Sequence, residues 1–233
     1  MATGGPGVYW LMKYVLLGPL LRLAFRPRVR GAENLPREGA ALVASNHLAV
    51  LDSFVLPLMV PRRMAFPAKV EYFTAPGPLG AVKRWFFTGM GQVPIDRGNA
   101  QAARAALDTG VRVLREGRLF GIYPEGTRSP DGRLYKGRTG VAKMALEAGV
   151  PVVPVAMVGT DRANPVGSRI PRPRRIEIRI GRPLDFSRYL PIADDRQVER
   201  AVTDEIMDAV RELSDQDYVD VYATSARRDA EAA

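Results

Sequence analysis

A chain of 233 residues, with 46% hydrophobic and 25% charged residues, is long enough to bury a sizeable core as one α/β domain. With no cysteine, disulfides, thiolate catalysis and cysteine-bound zinc are excluded; with one histidine, a metal centre would need mostly carboxylates, and no such cluster stands in the sequence. The formal charge of +9 points to an anionic partner, a nucleic acid or an acidic membrane surface. Lys13, Lys69, Lys83, Lys136 and Lys143 are the only lysines among 34 basic residues, so the balance is arginine, whose planar fork suits phosphate or carboxylate.

The most apolar stretch comes first, from Val8 to Phe25, broken by Lys13 and Arg22. Gly18-Pro19 is expected to bend it. A plain transmembrane helix needs about 20 mostly apolar residues, and the leader Met1 to Gly7 lacks the basic residue of a signal peptide. Two readings follow: a bent helical hairpin or interfacial helix with Tyr9, Trp10 and Tyr14 at headgroup level, or a helix packed on the domain's own core. The basic run Arg26 to Arg30 follows, a contact for lipid phosphates or a solvated linker.

Gly39 to Ser45 is small and apolar, as in a buried strand, and Asp52-Ser53 opens an apolar helix stopped by Pro61. Met64 to Ala68 reads as a short strand leading to Lys69, and Phe73 to Pro78 as a loop. Leu79 to Met90 is strongly apolar, with Trp85, Phe86 and Phe87, and walls an acyl-chain tunnel or fills ordinary core. Gly91 to Ile95 reads as a strand delivering Asp96-Arg97-Gly98-Asn99 to a turn, Asn99 capping a helix that runs through Glu116. Arg118 to Tyr123 is the next strand, turned by Pro124-Glu125-Gly126, and Gly137 to Ala148 a helix ended by Gly149. Val150 to Val158 has strand composition, but Pro151 and Pro154 each lack a ladder donor and suggest a start, bulge or edge. A Pro- and Arg-rich loop leads to the alternating strand Ile176 to Ile180; Asp194 to Leu213 carries one helical stripe, and Ala223 to Ala233 is expected to fray. Strand, helix, strand recurs, so the fold expected is α/β: a single domain with a mixed, largely parallel sheet flanked by helices.

His47 is the sole histidine, and Asp52 lies five positions on. On a continuous helix that spacing sets side chains about 140° apart, so pairing requires the strand-to-helix turn. A lone histidine is often structural, but here Asn46-His47-x4-Asp52 stands in fixed order with Val93-Pro94-Ile95-Asp96-Arg97, Tyr123-Pro124-Glu125-Gly126-Thr127-Arg128-Ser129 and Val150-Pro151-Val152-Val153-Pro154-Val155. This ordered set resembles the four sequence blocks of the glycerolipid acyltransferase family, best known for its 1-acylglycerol-3-phosphate (lysophosphatidic acid) acyltransferases, over a span from near Val29 to Pro183.

The resemblance implies an acyl donor that is a thioester of coenzyme A or acyl carrier protein, with no other cofactor. It implies lysophosphatidic acid or glycerol 3-phosphate as acceptor, and membrane-dwelling substrates. His47 suits a general base, Asp52 its tautomer-fixing partner and Asn46 a support. With no Gly-x-Ser-x-Gly, the attacking hydroxyl belongs to the substrate and no acyl-enzyme is needed. The resemblance assigns Arg97, Glu125 and Gly126 to the acceptor. Arg97 can grip a phosphate, with Arg128, Lys69 and Lys136 as helpers. Glu125 can receive a hydroxyl or orient a basic residue, and the Gly126 N–H can face an oxyanion. Tyr123 stands where relatives often carry Phe, a departure not expected to touch the chemistry.

The division expected is a membrane-associating helical segment at residues 1–30, an acyltransferase α/β domain at 31–213 and a tail at 214–233. Such a protein would sit on the cytoplasmic face of the cell membrane, peripheral or monotopic, bound to an anionic surface. Another lysophospholipid or a glycolipid is the alternative acceptor. A nucleic-acid-binding role would explain the charge but leaves His47 and Asp52 without a task, and no nucleic acid is expected as partner.

Overall fold

Two apolar helices, α1 (Pro6–Tyr14) and α2 (Leu17–Phe25), lead into strand β1 (Arg28–Arg30) and then β2 (Ala41–Ser45) and α3 (Asp52–Met59). This is seen in a computed structural model that describes residues 6–95, 100–168 and 170–232. Short strands β3 (Met64–Ala65) and β4 (Pro67–Lys69) precede α4 (Glu71–Thr74), α5 (Gly77–Gly89) and β5 (Val93–Ile95). Next come α6 (Ala100–Arg115), β6 (Leu119–Ile122), β7 (Leu134–Tyr135), α7 (Gly140–Ala148) and β8 (Val152–Val158). The chain ends with α8 (Thr160–Ala163), β9 (Glu177–Ile180), α9 (Arg196–Ser214), β10 (Tyr218–Val219) and α10 (Ala223–Ala232).

The main sheet has the order β1-β9-β8-β2-β6-β3, and every neighbouring pair is parallel except β8 with β9. Both faces are covered, so β2 reads as an unbroken buried run rather than an alternation. Its side chains still alternate in destination. Val43 joins a cluster with Tyr9, Leu56, Phe66 and Val155, whereas Leu42 and Ala44 join Val111, Phe120, Val141 and Ile206 under α6, α7 and α9.

Of the start, bulge or edge expected at β8, the edge is excluded, for β8 lies inside the sheet between β9 and β2, whereas Pro151 does mark the start of the strand. Pro154 is tolerated there because β9 pairs only from Val155 onward, while the Pro154 carbonyl still accepts the Gly181 N–H at 2.9 Å. Pro151 precedes the strand and accepts the Leu42 N–H at 3.0 Å. The loop expected at residues 73–78 instead begins inside α4. The tail expected to fray carries α10, and β10 pairs in parallel with β7.

Gly18 takes part in the expected bend, since a Cβ there would overlap the Lys13 carbonyl. The break falls at Val15 and Leu16, and Pro19 sits in the first turn of α2, where the N–H it lacks would have no helical partner. Lys13, a break in the apolar run by sequence, turns inward. Its Nζ donates to the carbonyl of Val60 at the C-terminal end of α3, where a cation meets the helix dipole. Burial pushes that ammonium down to about 8. Beside it, the buried Tyr9 hydroxyl donates to the Pro57 carbonyl at 2.7 Å. Tyr9, Met12, Lys13, Leu21 and Phe25 are core, so the core reading holds for that face and Tyr9 does not stand at a headgroup level; Trp10, Leu11, Tyr14, Val15, Leu16, Leu20 and Leu23 are exposed.

Strand β6 runs past Phe66 so closely that a Cβ at Gly121 would overlap the ring. Gly121→Ala should therefore destabilise the fold by about 1–3 kcal/mol through overpacking. At this chain length each kcal/mol lowers Tm by about 2–4 °C. Thermal unfolding followed by circular dichroism measures it, and an unchanged Tm would mean that Phe66 moves aside at no cost.

Candidate active site

In the parallel pairing of β2 with β6, Ala44 stands opposite Ile122. The loops that follow these strands therefore leave the sheet at the same end, and they carry Ser45 to Asp52 and Tyr123 to Ser129. The β2 loop folds around one atom. Oδ2 of Asp52 accepts the N–H of Leu48 at 2.7 Å and of Ala49 at 2.8 Å, and lies 3.0 Å from Nδ1 of His47. An ionised carboxylate can only accept, so Nδ1 carries the hydrogen and Nε2 keeps its lone pair. The Asp52 side chain is fully buried, and the His47 side chain keeps 15% of its surface exposed. Oδ1 of Asp52 is buried with no hydrogen-bond partner.

Glu125 holds the backbone of that loop. Its Oε1 accepts the His47 N–H at 3.0 Å and its Oε2 the Tyr135 N–H at 3.0 Å, which joins the β2 loop to β7. Burial pushes its carboxyl up to about 8, against the pull of these two donors. The His47 carbonyl accepts the Ser129 N–H at 2.8 Å, so both backbone groups of His47 are bound to the β6 loop. Gly126, at φ 76°, takes the left-handed turn conformation that suits glycine, and its N–H donates to the Tyr123 carbonyl at 3.0 Å. The N–H expected to face an oxyanion is thus already bonded.

Asn46 anchors the base of the loop by extending the β2–β8 ladder with its side chain. Oδ1 accepts the Met157 N–H at 2.7 Å, and Nδ2 donates to the Met157 carbonyl at 3.0 Å and to Gln216 Oε1 at 2.6 Å. Gln216 in turn donates to the Gly132 carbonyl. Of the basic residues, Lys69 is exposed at the end of β4, in register with Ile95, and Arg128 is half-buried with its carbonyl taking a bond from Arg227. Lys136 lies 2.9 Å from Asp220 in an ion pair. Arg97 lies outside the described residues.

Sequence reasoning passed over Tyr123, whose ring stacks on His47 with centroids 3.9 Å apart and planes 9° apart. The expectation concerned the change from Phe to Tyr, and the ring that makes this stack is common to both; the motif placed it two residues before Glu125. Ser129 also stood in the motif. Gln216, 170 residues from Asn46, left no sequence signal. Among the described residues no group of three or more His, Asp or Glu side chains could hold a metal.

The sequence profile of the family described as Acyltransferase matches residues 26–158. The chain is 34% identical over 145 residues to a chloroplastic 1-acyl-sn-glycerol-3-phosphate acyltransferase of Brassica napus, covering 62% of this chain and 40% of that protein. It is 30% identical over 133 residues to a 1-acyl-sn-glycerol-3-phosphate acyltransferase of Borreliella burgdorferi, covering 57% and 51%. Both matches thus span about half or less of the relative's length. The crystal structure of the 1-acyl-sn-glycerophosphate acyltransferase PlsC from Thermotoga maritima superposes with a TM-score of 0.66 at 26% identity, over 88% of this chain and 79% of that one.

Replacing Asn46 by Ala would strip partners from the buried N–H and carbonyl of Met157. The expected loss is about 1–3 kcal/mol of stability for each group left unpaired. Asn46→Asp should not restore it, because the donor to the carbonyl is still missing. Urea unfolding midpoints report this directly; wild-type midpoints in both variants would remove Asn46 from the ladder.

Proposed function

The chain belongs to the acyltransferase family, and we propose that it moves a fatty acyl group from an acyl thioester to a hydroxyl of 1-acylglycerol-3-phosphate or glycerol 3-phosphate. The observation that carries this is the approach of His47 Nδ1 to the buried Oδ2 of Asp52 at 3.0 Å, in a side chain that keeps 15% of its surface exposed. Nε2 takes the proton of the acceptor hydroxyl as its oxygen bonds to the thioester carbon. The tetrahedral intermediate then expels the thiolate, which takes that proton back from the imidazolium. Asp52 fixes the tautomer and offsets the positive charge while it lasts. The relatives' names supply the acceptor, and the donor, from coenzyme A or acyl carrier protein, rests on the family resemblance.

In this reading Arg97 grips the acceptor phosphate, aided by Arg128 and Lys69. Lys136 is a weaker helper because Asp220 already partners it. Glu125 serves the acceptor through the backbone of His47, since both of its oxygens are bonded there and at Tyr135. No specific observation favours a nucleic acid, whereas the charge of +9 suits an anionic lipid surface as well.

The deciding experiment offers purified protein long-chain acyl-CoA or acyl carrier protein thioester with a panel of acceptors, read by mass spectrometry. Acylation of lysophosphatidic acid or glycerol 3-phosphate is expected, with loss of about three orders of magnitude or more in kcat for His47→Ala. Acylation confined to a glycolipid or another lysophospholipid would move the acceptor to that class. Wild-type turnover by His47→Ala would end the mechanism.

We also propose that the protein is peripheral or monotopic on the cytoplasmic face of the cell membrane. Gly7–Phe25 is the one helical stretch among the described residues that is long and apolar enough to cross a bilayer by length and composition. It is broken into two helices of 9 residues, and at 1.5 Å per residue each is about 14 Å long, short of a core of about 30 Å. Their exposed apolar side chains, with Leu79, Val82 and Trp85 on α5, instead suit shallow insertion. Leu20 and Leu23 are exposed, so Leu20→Glu with Leu23→Glu should keep the core and abolish flotation with anionic liposomes. Undiminished flotation of that double variant would place the contact elsewhere.

A further inference from the structure

A hydrogen bond through Nδ1 fixes one point of an imidazole, but the ring can still tilt about that contact. Histidine χ2 is an sp³–sp² torsion with broad wells, so the backbone bonds of His47 do not set the plane of its ring. A second, flat contact is needed to aim Nε2, and the structure supplies one. The Tyr123 ring lies face to face with the imidazole, centroids 3.9 Å apart and planes 9° apart. Tyr123 is itself held at two points. Its hydroxyl lies 3.3 Å from Oγ of Ser53, the residue after Asp52 on α3, and its ring packs on Phe66 at 5.5 Å. Burial and the nearby charge of Asp52 push the Tyr123 hydroxyl well above its usual range, so it stays neutral and able to share a hydrogen with Ser53.

We propose that Tyr123 is a positioning residue for His47: its ring holds the imidazole in the plane in which Nδ1 meets Asp52, and thereby directs Nε2 toward the acceptor hydroxyl. The stack has a second effect. A π face is attracted to a cation, so the ring favours the imidazolium formed during transfer over the neutral base. Because Ser53 and Asp52 are adjacent on α3, the support of Tyr123 and the partner of His47 move together. This inference rests on His47 acting as the base, and the test separates the two.

Tyr123→Leu removes the π face and keeps an apolar cover; Tyr123→Phe keeps the face and removes the hydroxyl. With Leu, kcat should fall about tenfold, the scale of a cation–π contact, while KM changes by less than about twofold. With Phe, kcat should stay within about threefold of wild type, the conservative ring restoring what Leu loses. His47 is the only histidine, so protein labelled with ¹³C at histidine Cε1 gives a single imidazole signal. The stacked ring should hold that signal upfield in the wild type and in Tyr123→Phe, and Tyr123→Leu should release it downfield. An unmoved signal in Tyr123→Leu overturns the stack, and an equal fall of kcat in Leu and Phe, or a loss confined to KM, overturns the positioning role. If Tyr123→Leu does not fold, Tyr123→Phe still decides, because loss of its upfield signal or of its turnover contradicts the proposal. Full activity in His47→Ala would defeat the base, and with it any catalytic meaning of the stack, even where the signal shows the rings in contact.

Discussion

One carboxylate oxygen sets the geometry of this site. Asp52 Oδ2 gathers the N–H groups of Leu48 and Ala49 and Nδ1 of His47, so the atom that closes the turn also aims the ring. That double duty accounts for the spacing. Two residues five apart on a helix would diverge, but here the intervening backbone wraps the acid and returns the histidine to it. Burial makes the arrangement strict, because a side chain with no exposed surface has no water to replace a lost donor. Oδ1, buried and without a partner, leaves the carboxylate less satisfied than its three contacts suggest, and its charge is best answered when the imidazole becomes a cation.

Glu125 imposes the matching constraint on the backbone. A parallel sheet brings the ends of β2 and β6 together without any loop having to reach across, and Glu125 then joins the two loops by taking the N–H of His47. The same residue reaches Tyr135 on β7, which pairs with β10, so the C-terminal segment is tied to the site through strand pairing. Gln216 makes a second tie, between Asn46 and Gly132. The segment after the motif region therefore helps to hold the loops that carry it. This explains why Glu125 is buried rather than presented to solvent: its two oxygens have backbone donors to satisfy, and each would cost free energy if left unpaired.

Strands β2 and β8 were legible as short runs of small and β-branched residues, and the His47–Asp52 pair because a unique histidine and a spacing of five demanded a turn. By contrast, Arg28 to Arg30, which read as a basic contact or linker, is an edge strand paired with β9. What remained hidden had no local signal. Pro154 argued for an edge by ordinary rules, and only the pairing register shows that the antiparallel β9 ends at Ile180, opposite Val155, one residue short of needing its N–H. Lys13 looked like a break in an apolar stretch, but the carbonyl that receives it belongs to Val60, 47 residues away. Tyr123 differed from phenylalanine by one hydroxyl in a motif already explained, and its partner Ser53 lies 70 residues away. In each case the deciding contact is long-range, whereas periodicity reports only which face is buried.

Helix α3 links the two ends of the proposed chemistry. Its first residue is Asp52, and its last turn receives the Tyr9 hydroxyl at Pro57 and the Lys13 ammonium at Val60. Eight residues of helix span about 12 Å, so α1 and α2 are attached at roughly that distance from the acid that aims His47. A fatty chain costs about 0.8 kcal/mol per CH₂ to bring from lipid into water, on the order of 10 kcal/mol for a long one. An enzyme that had to extract both an acyl thioester and a lysolipid would meet that cost twice. If α1 and α2 insert as proposed, a base fixed by the helix that carries them avoids it, because the site would lie at the interface and only the headgroup would have to rise to meet it.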